Sequence, residues 1–137
     1  MLYVFDTSFV GAVVIPDEKN PIVDKMYDKI EEDDERHAPH LLWYEITNLF
    51  MNLIRRRRFT IDEVIQFYPR LAAIRLTYNH ETGIVYSKKL LRICNDCSLS
   101  SYDAAYLELA ERKNAVLCTM DDGLQAAAER YGVRVLS

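Results

Sequence analysis

The sequence predicts an α/β fold in which helices cover both faces of a central, mostly parallel sheet. Short apolar segments of strand-like composition alternate along the chain with segments whose apolar residues recur every three or four positions. Strands that alternate with helices are joined by crossover connections, which place parallel strands side by side under the helices. A chain of 137 residues can bury the core of one domain but not of two. We therefore expect a single domain over residues 1–137.

The first part of the chain predicts one strand and two helices. The apolar run Leu2–Phe5 suits a buried strand, and the polar residues of Asp6–Ser8 are favoured at the cap of a following helix. A second helix is predicted from Pro21, because proline is favoured in the first helical turn, and it should end at the acidic run 31–35. Residues 38–40 predict a break before the next helix.

Two more helices are predicted in the middle of the chain. Apolar residues at helical spacing extend one helix from Leu41 to the arginine run Arg55–Arg58. A capping box begins the other, because Thr60 accepts from the backbone of Glu63 while the glutamate reaches back to the cap. We expect this second helix to end near Ala73.

The last part of the chain predicts alternating strands and helices. Ser100 is suited to cap a helix that Asn114 closes, and Gly132 is suited to end the last helix. The predicted strands are 74–77, 115–119 and 133–136, and the predicted helices begin at about Glu81, Ser100 and Asp122.

Composition narrows the function classes. The formal net charge of −4 argues against a protein that holds nucleic acid with a broadly basic surface. No apolar run approaches the ~20 residues of a membrane span, so we expect a cytoplasmic protein. Cys94 and Cys97 have the spacing of redox or zinc motifs but lack a strand before them and a second ligand pair. We expect free thiols.

Four carboxylates lie at or beside predicted strand-to-helix boundaries or in the first turns of a helix: Asp6, Glu45, Asp103 and Asp121. In a parallel sheet such boundaries meet along one edge, so distant acids can converge in one pocket. Helix capping alone is an alternative explanation for the three aspartates. It fits Glu45 less well, because Asn48 and Asn52 follow it at helical spacing and form a polar stripe of poor helix formers.

A divalent cation explains such a cluster. Carboxylates that gather without a cation repel one another, and their pKa values rise. Mg²⁺ and Mn²⁺ prefer hard oxygen ligands and bind one or two carboxylates together with water and substrate phosphate. Such ions can activate water and stabilise the leaving oxygen of a phosphodiester.

Four sequence blocks resemble a known family. Asp6-Thr-Ser after the first strand, PHLLWYEITN around Glu45, LSSYDAAYLELA around Asp103 and LCTMDDGL around Asp121 are similar to the blocks of PIN-domain proteins of the VapC toxin type. The resemblance spans Leu2 to Val135. It implies a three-layer α/β/α fold and a metal-dependent endoribonuclease, commonly the toxin of a toxin–antitoxin pair.

The resemblance also implies residue roles. Asp6 and Asp103 would bind the metal directly, Glu45 and Asp121 would complete the cluster, and a metal-activated water would attack the RNA. Further residues implied near the metal are Thr119, Asn48 and Asp122, which is an extra acid able to share or take the role of Asp121. An antitoxin partner and a homodimer are expected.

The sequence leaves alternatives open both for the role of the arginine run and for the function of the protein. Arg55, Arg56, Arg57 and Arg58 suit an RNA backbone, because guanidinium groups bind phosphate in a bidentate way, but they also suit the C-terminal end of a helix. A PIN-fold binding module with a non-catalytic site is an alternative function. A receiver or phosphatase-like phosphoryl-transfer domain is a third, although the chain lacks the D-x-D motif of such phosphatases.

Overall fold

A parallel sheet of four strands forms the centre of the computed structural model, which describes residues 1–18 and 20–137. Its strands are β1 (Leu2–Phe5), β2 (Glu35–Pro39), β3 (Thr77–Asn79) and β4 (Val116–Cys118). They lie in the order β3, β2, β1, β4, and each neighbouring pair is parallel. The predicted α/β fold with a parallel sheet is confirmed.

Helices cover both faces of the sheet and give a three-layer α/β/α arrangement. The helices are α1 (Thr7–Val14), α2 (Pro21–Tyr27), α3 (Leu42–Arg55), α4 (Ile61–Ile65), α5 (Tyr68–Ile74), α6 (Ile84–Cys97), α7 (Ser101–Lys113) and α8 (Asp122–Arg130), with a 3₁₀ turn at Pro16–Glu18. Helix α7 packs on β1, β2 and β4 beside α6 and α8, whereas α1 contacts α2, α3 and α5. Within the described residues, no helix has both the length and the apolarity to cross a membrane.

Helix caps agree with the sequence. Asp6 caps α1 by accepting from the backbone N–H of Phe9, and Thr60 begins α4 with the predicted capping box. Ser100 caps α7 by accepting from the backbone N–H of Asp103, and Asn114 ends that helix in the left-handed conformation. These local signals act on adjacent backbone groups, so the sequence alone locates them well.

The predicted break at residues 38–40 is wrong. Residues 35–39 form β2, which pairs with β1 through Leu2↔Glu35 and Val4↔His37. The composition of β2 is not typical of a strand, because charged residues begin it and Pro39 ends it. Its last three residues are nevertheless buried. Pairing with β1 and β3, rather than local composition, holds these residues in the sheet.

Three element boundaries also differ from the predictions. The helix predicted from Thr60 to Ala73 is two helices, because Pro69 has no N–H and its ring clashes with the carbonyl four residues earlier. The strand predicted at 74–77 lies at Thr77–Asn79, since Ile74 still belongs to α5. The second helix ends at Tyr27, before the acidic run.

Two predictions in the second half of the sequence, one for a strand and one for a helix, are also wrong in their bounds. The strand predicted at 133–136 is reduced to one parallel bridge between Val135 and Leu117. The helix predicted from Glu81 begins at Ile84 and extends to Cys97, so Cys94 and Cys97 lie inside α6, where both are free thiols.

The strand order creates a crevice at the carboxyl ends of β1 and β4. From β1 the chain proceeds to β2 and β3 on one side, then returns to the other side of β1 as β4. At such a switch point the connections that follow the two strands diverge to opposite faces and leave a gap between them. Asp6 directly follows β1, and Thr119 directly follows β4. The backbone hydrogen bond from Asp6 N–H to the Cys118 carbonyl (3.1 Å) joins the two strand ends.

Candidate active site

Asp6 is a buried carboxylate at the switch point. Its Oδ1 accepts from the Ser8 hydroxyl (2.7 Å) and the Phe9 backbone N–H (2.9 Å), and its Oδ2 accepts from the Thr119 hydroxyl. Only 4% of the residue is exposed. Burial raises its pKa from 3.8 to about 6, against the opposing effect of the three hydrogen bonds, and the charge of Asp103 adds to the rise. Asp6 therefore changes protonation state much closer to neutral pH than an exposed aspartate does.

Two hydroxyls connect Asp6 to the loop after β4. Ser8 accepts from the backbone N–H of Met120 (2.9 Å), and Thr119 accepts from the backbone N–H of Asp121 (3.0 Å). Because each hydroxyl also donates to Asp6, the end of β1 and the start of α8 are fixed to each other through one carboxylate. Thr119 thus contacts Asp6, as the sequence suggests, whereas the role of Ser8 was missed.

Glu45 is held by two hydroxyls from other elements. Its Oε1 accepts from Thr7 on α1 (3.0 Å) and from the phenol of Tyr106 on α7 (2.6 Å). Burial and the hydrogen bond to Glu45 raise the pKa of Tyr106, so the phenol keeps its proton for this bond. Within the described chain, both hydrogen bonds to Glu45 end on Oε1, which leaves Oε2 available to another ligand.

Asp103 lies within the electrostatic influence of the other acids. It is in the first turn of α7 and is partly buried. Burial raises its pKa most, the negative charges of Asp121 and Glu45 raise it further, and the Ser100 hydroxyl opposes the rise. Since Asp103 also acts on Asp6, electrostatic interactions link all four predicted acids.

Asp121 and Asp122 have different positions at the start of α8. Asp121 caps the helix through a hydrogen bond from the Leu124 backbone N–H to its Oδ1 (2.8 Å), and its charge acts on Asp103. Asp122 lies in the first turn of α8 and is exposed, as Asp121 is, but it is not among the charges that shift the pKa of Asp103. The geometry therefore favours Asp121 as the fourth acid of the cluster.

The donor set suits a hard divalent cation without forming a complete cage for one. Among the described residues, no three His, Cys, Asp or Glu side chains are arranged as a metal site. Mg²⁺ does not need such a cage, because it keeps several waters and binds through one or two carboxylates. The carboxylates of Glu45 and Asp121 raise the pKa of Asp103 by repulsion, and a bound cation removes this repulsion. The residues present therefore fit Mg²⁺ or Mn²⁺.

A cavity of about 720 Å³ opens beside Glu45. Asn48 and Asn52 line it as the polar stripe predicted on α3, and Tyr44 and Tyr102 line it from α3 and α7. The structure therefore places Asn48 on the wall of this cavity, with no hydrogen bond to the four acids among the described residues. Asn48 therefore contributes to the lining of the cavity and does not hold a carboxylate in place.

The arginine run is separate from the acids. Arg55 follows Glu45 by ten residues, so at ~1.5 Å per residue it lies about 15 Å further along α3. All four arginines are exposed, and Arg58 forms an ion pair with Asp17 (2.6 Å). The run therefore lies at the far end of the helix that begins at the acidic cluster.

The sequence did not predict three residues that form hydrogen bonds to the acids: Thr7, Ser8 and Tyr106. Tyr106 follows Asp103 by three positions on α7, a spacing that places both on one helix face. Ser8 follows Asp6 by two positions in the cap segment. Only Tyr106 had a usable signal, because nothing in the sequence pairs Thr7 with Glu45 or Ser8 with Met120.

Comparison with known proteins gives consistent matches. A family model described as "PIN domain" matches residues 3–130. "Ribonuclease VapC3" of Pyrobaculum aerophilum is 25% identical over 131 residues, which cover 96% of this chain and 95% of that protein.

Two solved structures show that the fold is shared. VapBC-1 of nontypeable Haemophilus influenzae matches with a TM-score of 0.67 at 13% identity, covering 100% of this chain and 98% of that one. Mycobacterium tuberculosis VapC20, described as a "Sarcin-Ricin loop cleaving toxin", matches with a TM-score of 0.63 at 17% identity, covering 93% and 95%.

Proposed function

Because the chain belongs to the PIN domain family, we propose that it is an endoribonuclease dependent on Mg²⁺ or Mn²⁺ and the toxin of a toxin–antitoxin pair. The observation that carries the proposal is that four acids from separate segments lie near enough to the switch point for their charges to act on one another, and that burial and these charges raise the pKa values of Asp6 and Asp103. Structural aspartates that only cap helices have no need to lie together. Perturbed carboxylates in a cleft are typical of functional sites.

The similar proteins support the nuclease and toxin parts of the proposal. VapC3 is a ribonuclease by name and aligns with nearly the whole chain, while VapC20 is described as a "Sarcin-Ricin loop cleaving toxin". The shared fold with VapBC-1 agrees with an antitoxin partner for this chain. A homodimer remains part of the proposal.

The side chains have distinct tasks in this proposal. Asp6 and Asp103 bind the cation, with Asp6 held in place by the Ser8 and Thr119 hydroxyls. Glu45 directs Oε2 to the cavity because Thr7 and Tyr106 occupy its other oxygen. Asp121 completes the negative field and also caps α8. A bound divalent cation would lower the pKa of water and offset negative charge on the phosphodiester.

The arginines are proposed to bind the RNA backbone. Arg55 lies about 15 Å along α3 from Glu45, and Arg56 and Arg57 directly follow the end of the helix. All three are exposed, and several nucleotides of a strand can bridge this distance. Their positive charge is local in a chain of net charge −4. The backbone is therefore held at the end of α3 and not across the whole surface.

The test compares cleavage by the protein with that by two matched aspartate variants. Asp103→Asn should lose at least about a hundredfold in cation-dependent cleavage of a labelled RNA, because the cation supplies several kcal/mol of charge stabilisation. Asp122→Asn, which changes the same chemical group at an exposed position, should cleave normally.

Cleavage should require added Mg²⁺ or Mn²⁺ and stop with a chelator. Full cleavage by carefully purified Asp103→Asn would refute the catalytic assignment. If the protein cleaves no RNA and its thermal stability does not respond to either cation, the binding-module alternative is favoured instead.

A further inference from the structure

Two exposed tyrosines flank the acids of the candidate site. Tyr44 directly precedes Glu45 and is 69% exposed, while Tyr102 directly precedes Asp103 and is 60% exposed. In the described part of the chain neither phenol forms a hydrogen bond, and the one ring contact of Tyr44 is an edge contact with His40 at 5.9 Å. Packing of the fold therefore does not account for either ring.

Both tyrosines border a depression made of two cavities that share part of their lining. They line the cavity beside Glu45 and also a second cavity of about 300 Å³, and Leu41 is the third residue common to both. The two rings consequently stand between a compartment that contains Asn48 and Asn52 and a compartment that contains Asn79 and Arg112.

Charge restricts what can bind in this depression. Glu45 and the neighbouring acids repel phosphate, so a nucleic acid strand gains little there from its backbone in the absence of the cation. Aromatic rings instead bind the uncharged faces of bases, and this stacking does not depend on base identity. The amides of Asn48 and Asn52 offer donors and acceptors for base edges in the same cavity.

We propose that Tyr44 and Tyr102 form a base-stacking pair that restricts cleavage to unpaired RNA, an inference that rests on the proposed ribonuclease activity. A base inside a duplex has both faces covered by its neighbours and cannot stack on a side chain, whereas a base in a loop or single strand can. The stacked base would place the adjoining phosphodiester beside Glu45, because Tyr44, Tyr102 and Glu45 line the same cavity.

The binding test uses a fluorescent base analogue. A single-stranded oligoribonucleotide containing 2-aminopurine is titrated with protein carrying Asp103→Asn, so that the RNA stays intact, and quenching reports stacking. Adding Tyr44→Ala or Tyr102→Ala should weaken binding by about 5- to 100-fold and reduce the quenching. Tyr44→Phe and Tyr102→Phe should retain both. Leu91→Ala, which changes an exposed apolar residue outside these cavities, is the control.

Cleavage then separates this inference from the proposed function. With native acids, the protein should cleave a single-stranded RNA much faster than the same sequence in a blunt duplex, and the alanine variants should lose mainly in KM. Equal cleavage of strand and duplex, or alanine variants that behave like Leu91→Ala, would overturn the stacking role while leaving the nuclease intact. Absence of any RNA cleavage would instead refute the proposed function. Alanine variants that fail only to bind a protein inhibitor would assign the surface to that partner.

Discussion

Asp6→Asn in the cation-free protein should change stability in a pH-dependent way. The fold raises the pKa of Asp6 from 3.8 to about 6, so it favours the neutral carboxyl. Below pH ~4 the carboxyl is protonated in both the folded and the unfolded chain, so ionisation of Asp6 does not lower the stability. The loss of stability grows as pH rises from the unfolded pKa to the folded pKa and is complete above the folded pKa. Asparagine is neutral throughout and carries none of this cost.

The size of the effect follows from the shift. About two pKa units correspond to about 3 kcal/mol, at ~1.4 kcal/mol per unit, and Asp6 is buried enough for this conversion. Asparagine also loses an acceptor, because its amide nitrogen cannot accept from Thr119, at a cost of about 1 kcal/mol. We therefore expect the variant to be about 1 kcal/mol less stable near pH ~4 and about 2 kcal/mol more stable near pH ~7.

Urea unfolding of both proteins, followed by circular dichroism from acidic to neutral pH with a chelator present, measures this difference. Subtracting the two free energies of unfolding removes the titration of all other groups. Mg²⁺ should then stabilise the native protein more than the variant, because it binds the folded state through Asp6. A difference that does not vary with pH, or a variant that is less stable at neutral pH, would refute the argument from burial.

Two further predictions concern other parts of the site. Tyr106→Phe removes the hydroxyl that donates to Glu45. The free energy of unfolding should therefore fall by about 1 to 2 kcal/mol, and RNA cleavage should weaken. An unchanged urea midpoint would contradict this role. Replacing Arg55 and Arg56 by alanine should reduce the slope of log Kd against log salt by about 1.4 if each contacts one phosphate of single-stranded RNA. The same slope as in a control with Arg70 and Arg92 replaced would indicate a helix-end role.

The fold was predictable where the controlling interactions are local. Asp6, Thr60 and Ser100 cap the helices expected of them, because a cap residue binds a backbone group two or three positions away. β2 was not predictable, since its place depends on β1 and β3, which lie more than thirty residues away on either side. Pro39 and the charges before it gave the opposite local signal.

The sequence predicts the acids of the candidate site, but it does not predict the residues that form hydrogen bonds to them. Carboxylates at strand ends follow from sheet topology, so Asp6 and Asp121 could be placed in the same crevice before any coordinates. The hydrogen bonds from Thr7 and Tyr106 to Glu45 join α1, α3 and α7, and no single-element pattern encodes them. The sequence alone does not distinguish Asp121 from Asp122, because the cap hydrogen bond of Asp121 and its effect on Asp103 depend on the folded chain.

The strand order also governs when this site can form during folding. β1 and β4 pair directly through Phe5↔Cys118, although almost the whole chain lies between them. Closing so long a loop is entropically costly, and folds rich in such distant pairings acquire their structure slowly. A partly folded chain that has docked only its first three strands still lacks Thr119 and Asp121 beside Asp6. The acidic cluster therefore forms only when β4 pairs with β1, so a chain that has not made this pairing lacks the candidate site.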